Sequence, residues 1–88
     1  MDRGEILKVA SDLIYNDREA EYGTPQENFY RIAKLWSIVL ETPITEHQVA
    51  LCMNQLKVAR LVQSPDKLDG WIDGAAYMAI GGELATQE

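Results

Sequence analysis

Three short breaks constrain what this 88-residue chain can fold into. Gly23-Thr24-Pro25, Glu41-Thr42-Pro43 and Ser64-Pro65 each interrupt a stretch whose apolar residues recur at helical spacing. The first stretch runs from about Asp2 to Asn16, with Ile6, Val9, Ala10, Leu13 and Ile14 on one stripe. Asp17 falls back on that apolar side and is expected to lie past the helix end. Thr24 is a good N-cap, Pro25 suits the first helical position and Glu27 completes a capping-box pattern, so a second helix is expected from Pro25 to about Leu40. Its apolar arc holds Phe29, Ile32, Ala33, Leu35, Trp36, Val39 and Leu40, with Asn28 at the edge. Thr45-Glu46-His47-Gln48 is a second capping box and opens the third helix near Glu46. That helix is apolar almost all round, which predicts burial on most sides and a central place in the fold.

The fourth helix is expected from about Asp66 or Lys67 to Ala85, with a frayed tail over Thr86 to Glu88. Gly70, Gly74, Gly81 and Gly82 would each cost roughly 1 kcal/mol against alanine there. Together with Ala75, Ala76 and Ala79 they predict the close approach of another helix. No segment alternates with period two and no hairpin signal is present. The expected fold is all-α: one domain, residues 1–88, a compact bundle of four short helices with the third central.

Composition narrows the function. The chain is 47% hydrophobic and 25% charged, as a folded domain is. Its net charge of −6 speaks against non-specific binding to nucleic acid or to an anionic membrane. There is no run of about 18 apolar residues, so no membrane span is expected. The start, MDRGEILKVA, lacks the features of a signal peptide, and a cytoplasmic location is expected. Cys52 is the sole cysteine, so no intramolecular disulfide can form, and a buried position is expected for it. His47, the sole histidine, falls in a first helical turn and is expected to be exposed; one histidine and one cysteine do not make a zinc site. Trp36, Trp71 and Tyr77 stand at helical positions and are expected in the core. A core this small is marginal. The third and fourth helices carry more apolar surface than two other short helices can cover, which predicts a homo-oligomer, a dimer.

The chemistry centres on LDGWIDGAAY. Asp69 and Asp73 lie four residues apart, and like charges at that spacing repel on one helix face. A cation, a metal or water must compensate them. The preceding helix supplies Lys57 and Arg60, and a short turn makes the two helices antiparallel, so an Arg60–Asp73 or Arg60–Asp69 bridge is expected. Such a bridge either fixes the packing or frames a ligand. In the second case Lys57, Arg60 and the amide of Asn28 suit phosphate oxygens, and the carboxylates suit Mg²⁺ with a phosphorylated ligand. Tyr22, on the loop before Gly23, suits a ligand contact. No catalytic triad or Gly-rich phosphate loop can be assembled, and no metal ligand set is assigned.

The stretches DREAEYGTPQENFYRIAKLWS, ITEHQVALCMNQLKVARLVQSP and DGWIDGAAYMAIGGE resemble a small phage and prophage domain family. Its pattern is Tyr-Gly-x-Pro-x-Glu-Asn-Phe, a tryptophan-containing helix, Val-Ala with Lys-x-x-Arg, then Trp-x-Asp-x-x-x-Tyr. The matching positions are Tyr22, Gly23, Pro25, Glu27, Asn28, Phe29, Trp36, Val49, Ala50, Lys57, Arg60, Trp71, Asp73 and Tyr77. The resemblance spans nearly the whole chain and implies a phage or prophage origin, hence a bacterial host cell. A looser resemblance is to the all-α MazG-like nucleotide pyrophosphohydrolases, which bind Mg²⁺ through Glu-x-x-Glu and Glu-x-x-Asp on two helices. Here Asp69-x-x-x-Asp73 stands for the second pair and the cationic Lys57-x-x-Arg60 for the first. The leading expectation is a protein that binds a nucleotide or another phosphorylated small molecule through Tyr22, Asn28, Lys57, Arg60, Asp69 and Asp73. The alternative is an interaction module that acts on a host or phage protein, countering host defence.

Overall fold

A computed structural model describes residues 1–87, with side chains described for all of these except residues 17–19. Among the described residues six elements form four helical rods. Helix α1 (Arg3–Asp12) passes without a break into a π-helical turn (Leu13–Arg18) and a last α-helical turn, α2 (Glu19–Tyr22). The other rods are α3 (Pro25–Leu40), α4 (Glu46–Gln63) and α5 (Leu68–Thr86). The all-α bundle of four rods is as the sequence predicts. The first rod differs in length: its backbone stays helical through residue 17 and on to Tyr22. The side chain of Asp17, expected past the helix end, lies outside the described residues. At the other end α5 includes Thr86, whose Oγ1 donates to the Gly82 carbonyl at 2.8 Å, so the tail expected to fray starts one residue later. Glu88 lies outside the described residues.

Local chemistry sets the helix starts. Asp2 and Glu5 form a reciprocal box: Glu5 N donates to Asp2 Oδ1 at 2.9 Å and Asp2 N to Glu5 Oε1 at 3.3 Å. The Glu5 backbone N–H holds the Asp2 carboxyl below the usual carboxylate range. Thr45 and Gln48 form the expected box on α4, at 2.9 and 3.3 Å. On α3 only half of the expected box forms. Thr24 Oγ1 accepts from Glu27 N at 3.2 Å, and no return bond from the Glu27 carboxylate is made. Helix α3 stops at Glu41, whose φ of 54° is left-handed. Ser37 ties down the following turn: its Oγ donates to the Ala33 carbonyl at 2.7 Å and accepts from Ile44 N at 2.9 Å.

The core is divided into two clusters. Ala10 and Ile14 pack with Ile72 and Ala76 of α5. Phe29 and Ala33 of α3 pack with Val49 and Ala50 of α4, joined by Trp36, Met53 and Tyr77. Ile80 of α5 touches both. Helices α4 and α5 are antiparallel and in close approach, and three of the four glycines of α5 are the reason. A Cβ on Gly70 would meet Leu61, one on Gly74 would meet Asn54, and one on Gly81 would lie 2.9 Å from the Cβ of Ala50. Gly82 faces open space. Gly82→Ala is therefore expected to raise stability by about 0.5–1 kcal/mol, read as a higher denaturant midpoint at unchanged slope.

Four expectations about burial are corrected. Helix α4 is not buried on most sides: its seam with α5 is covered, while Leu51, Leu56, Val58 and Val62 are exposed. It packs chiefly against α5 and α3, which meet it through residues such as Ala50, Val49 and Met53. Cys52 is exposed rather than buried, because it falls on that uncovered side. Trp71 is half exposed and donates from Nε1 to the Pro65 carbonyl at 2.9 Å, so it clamps the turn before α5 instead of filling the core. His47 is half-buried, with Nδ1 3.3 Å from Thr45 Oγ1.

Candidate functional site

The seam between α4 and α5 decides which cation meets Asp73. Ala50, Asn54, Lys57 and Leu61 follow one another at spacings of four, three and four, which keeps them on one face of α4. That face meets the glycines of α5. Lys57 thus points into the seam, and its Nζ lies 3.0 Å from Asp73 Oδ2, with the two side chains only 17% and 19% exposed. Arg60 is three residues further on, turned off the seam, and exposed. The Arg60–Asp73 and Arg60–Asp69 bridges expected from sequence are not formed; Lys57–Asp73 takes their place. Asp69 is exposed in the first turn of α5, where the helix dipole favours a carboxylate. The two aspartates therefore do not share a site.

On the far side of Asp73 a cleft of about 110 Å³ opens between the two core clusters. The π-helical turn gives Leu13 and Ile14 to one wall, and α3 and α4 give Phe29, Ile32 and Met53 to another. Ala76, Tyr77 and Ile80 of α5 form the floor with Asp73. Tyr22, Gly23, Pro25 and Asn28 close the remaining side. Gly23 makes the turn that brings α2 onto α3, at a φ of 82° that a residue with a Cβ adopts only under strain. The rings of Phe29 and Tyr77 are 6.3 Å apart and tilted by 40°.

Three of the six residues singled out from sequence, Tyr22, Asn28 and Asp73, come together in this cleft. Lys57 stands behind Asp73 and lines the groove on the opposite side, beside Asn54 and Arg3. Arg60 and Asp69 line neither. Sequence reasoning placed Tyr77 and Phe29 in the core without a part in the site. Tyr77 carried a usable signal, since it is four residues after Asp73 and shares its face of α5. The apolar walls carried none.

The polar side chains that line the cleft are the Asn28 amide, the Asp73 carboxylate and the tyrosines Tyr22 and Tyr77. Asp73 spends Oδ2 on Lys57, and the Asn28 amide makes no side-chain hydrogen bond within the described protein. Among the described residues no three His, Cys, Asp or Glu side chains converge as a metal site requires. The MazG-like pattern of two carboxylate pairs on facing helices is not assembled among the described residues. Among the described residues the cation beside the cleft, Lys57, is engaged by Asp73.

Residues 5–85 match the family model described as Domain of unknown function (DUF6378). The chain belongs to that family. The matched span takes in the whole cleft, from Leu13 to Ile80. Two similar proteins come from mycobacteriophages. The "Gene 55 protein" of Mycobacterium phage D29 is 40% identical over 72 residues, which cover 82% of this chain and 48% of that protein. The "Gene 55 protein" of Mycobacterium phage L5 is 34% identical over 76 residues, covering 85% of this chain and 49% of the relative. The chain thus spans about half the length of the curated relatives it matches. No solved structure matches it significantly. These matches bear out the expected phage and prophage family. No helix among the described residues is long and apolar enough to cross a membrane.

Proposed function

We propose that this protein binds a nucleotide or nucleoside, and that it does so by the base rather than by the phosphates. The reading is supported above all by Asn28 and Asp73, whose amide and free carboxylate oxygen face one small apolar cleft beside aromatic rings. Apolar walls with a few convergent polar groups are the usual build of a small-molecule site. At about 110 Å³ the cleft is well below the roughly 300 Å³ of a pocket that encloses a whole ligand. A single planar heterocycle fits that scale, with sugar and phosphates left outside. Asp73 can only accept hydrogen bonds, while Asn28 can donate and accept. A base edge with a ring N–H and an amino group next to a carbonyl, as in guanine, complements that pair. Phe29, Tyr77 and Tyr22 offer apolar and stacking surface. This moves the reading away from Lys57 and Arg60 as phosphate ligands and gives Lys57 a different role, holding the Asp73 side chain in place. The cytoplasm of an infected or lysogenic cell is where such ligands are found.

A thermal-shift titration with guanosine, adenosine and their nucleotides tests this. A shift with guanosine that exceeds that with adenosine, and that the phosphates do not increase, is expected. Asn28→Ala should weaken binding about tenfold, the loss of one well-placed hydrogen bond, and leave the fold intact because Asn28 is only half-buried. Absence of a shift with every nucleoside and nucleotide, up to millimolar concentration, would rule the reading out.

A further inference from the structure

The folded chain leaves more surface exposed than a compact monomer does. A 9.9 kDa monomer exposes about 5,200 Å², whereas this one exposes 6236 Å². Its radius of gyration, 13.5 Å, likewise exceeds the roughly 12 Å of a compact domain of this length. The surplus, on the order of 1,000 Å², is close to the roughly 800 Å² that each partner contributes to a stable interface of standard size.

The outer face of α4 contributes to this uncovered surface. Leu51, Val58 and Val62 are exposed there, Val62 to 80%. With Gln55 they repeat at spacings of four, three and four, the seam pattern of helices that pack side by side. None of the four is charged. A partner recognised by charge would meet no complement on this stripe. A second copy, which also carries a net charge of −6, meets no like charge within this stripe. The spacing is also palindromic. A two-fold axis normal to α4, between residues 56 and 57, sets Leu51 against Val62 of the second copy and Gln55 against Val58.

We propose that the protein forms an isologous dimer in which α4 packs antiparallel against α4 of a second copy, through Leu51, Gln55, Val58 and Val62. Closed two-fold symmetry is the commonest form of self-association, and this stripe has the self-complementary order it requires. The cleft at Asp73 lies on the other side of α4 and stays open in such a dimer.

Sedimentation equilibrium over a micromolar range tests the arrangement. The unaltered chain is expected to be dimeric, and Val58→Glu to weaken the dimer at least about 100-fold, since the two-fold axis places the new charge in the interface twice. Circular dichroism checks that this variant stays helical, as its exposed position allows. Leu51→Glu and Val62→Lys should each dissociate the dimer, and the double variant L51E/V62K should restore it, because each Glu then meets a Lys of the other copy. A monomer throughout the range overturns the dimer. A dimer that ignores Val58→Glu but is broken by Ile38→Glu on α3 overturns the choice of face. A double variant that stays monomeric overturns the antiparallel order.

Discussion

Replacing Lys57 by methionine is expected to destabilise the protein by about 2–4 kcal/mol, somewhat less than the loss of a partner costs in a fully buried ion pair. The effect comes from Asp73. Methionine keeps most of the volume of the lysine stem, so packing changes little. The carboxylate, mostly covered and bonded through Oδ2 to Lys57 alone, is left without its cation. A domain of this size has only a few kcal/mol in hand, so a large share of the molecules should be unfolded at 37 °C. Urea denaturation gives the number. Arg60→Met is the control, because Arg60 is exposed and unpaired among the described residues, and it should stay within about 0.5 kcal/mol of the parent. The double variant Lys57→Met with Asp73→Leu should recover most of the loss, as apolar replacements of such pairs do. Equal effects of Lys57→Met and Arg60→Met would show that this pair does not hold the α4–α5 seam. The double variant also separates two roles of Asp73: it should fold and yet fail to bind a base.

Gly81→Val should cost about 3 kcal/mol, at the upper end of what overpacking a core does. The added carbon would start 2.9 Å from the Cβ of Ala50, a residue that is itself 1% exposed. Ala50 has no rotamer to move, so α4 and α5 must be pushed apart, and Val49 beside it, fully buried, loses contacts as well. At Gly74 the obstacle is the terminal Oδ1 of Asn54, which can turn aside. A substitution at that position should therefore cost less. The gain in helix propensity from glycine to valine, about 0.4 kcal/mol, offsets little of the strain at Gly81. Thermal unfolding of Gly81→Val and Gly82→Ala side by side should show opposite signs at adjacent positions. A Gly81→Val protein as stable as its parent would mean that the two helices are not in close approach there.

How far these features can be read from the sequence depends on whether they are local. Thr24 and Thr45 mark helix starts because a cap involves only the next three residues. Crowding at Gly70, Gly74 and Gly81 could be expected from composition, but not the open surroundings of Gly82, since four similar glycines on one helix do not say which face is covered. The exchange of Arg60 for Lys57 has the same origin. A helix apolar on all sides offers no contrast from which to tell its seam, so the arc of α4 that meets α5 is set by packing alone. The π-helical turn at Leu13–Arg18 carries no pattern in the sequence either, because its i to i+5 bonds join backbone groups that nearly every residue has. Within the site, Tyr22, Asn28 and Asp73 were recognisable as polar or loop residues in helices built for burial. The walls that make them a site come from four different elements.

The divided core has a consequence for motion. The two clusters share Ile80 and α5, so α5 is common to both cooperative units of the fold, while α1 belongs only to the smaller one. Native-state openings tend to follow such boundaries, with the unit of fewest buried contacts detaching first at the lowest free energy. Here that boundary runs through the cleft, with Leu13 and Ile14 on one bank and Phe29, Ile32 and Met53 on the other. A sub-global opening that lifts α1 and its π-helical turn would uncover Asp73 and Tyr77 without disturbing the α3–α4 cluster. The amides of α1 should then exchange with solvent sooner than those of α4, and a ligand seated in the cleft should slow them by fastening one foldon to the other.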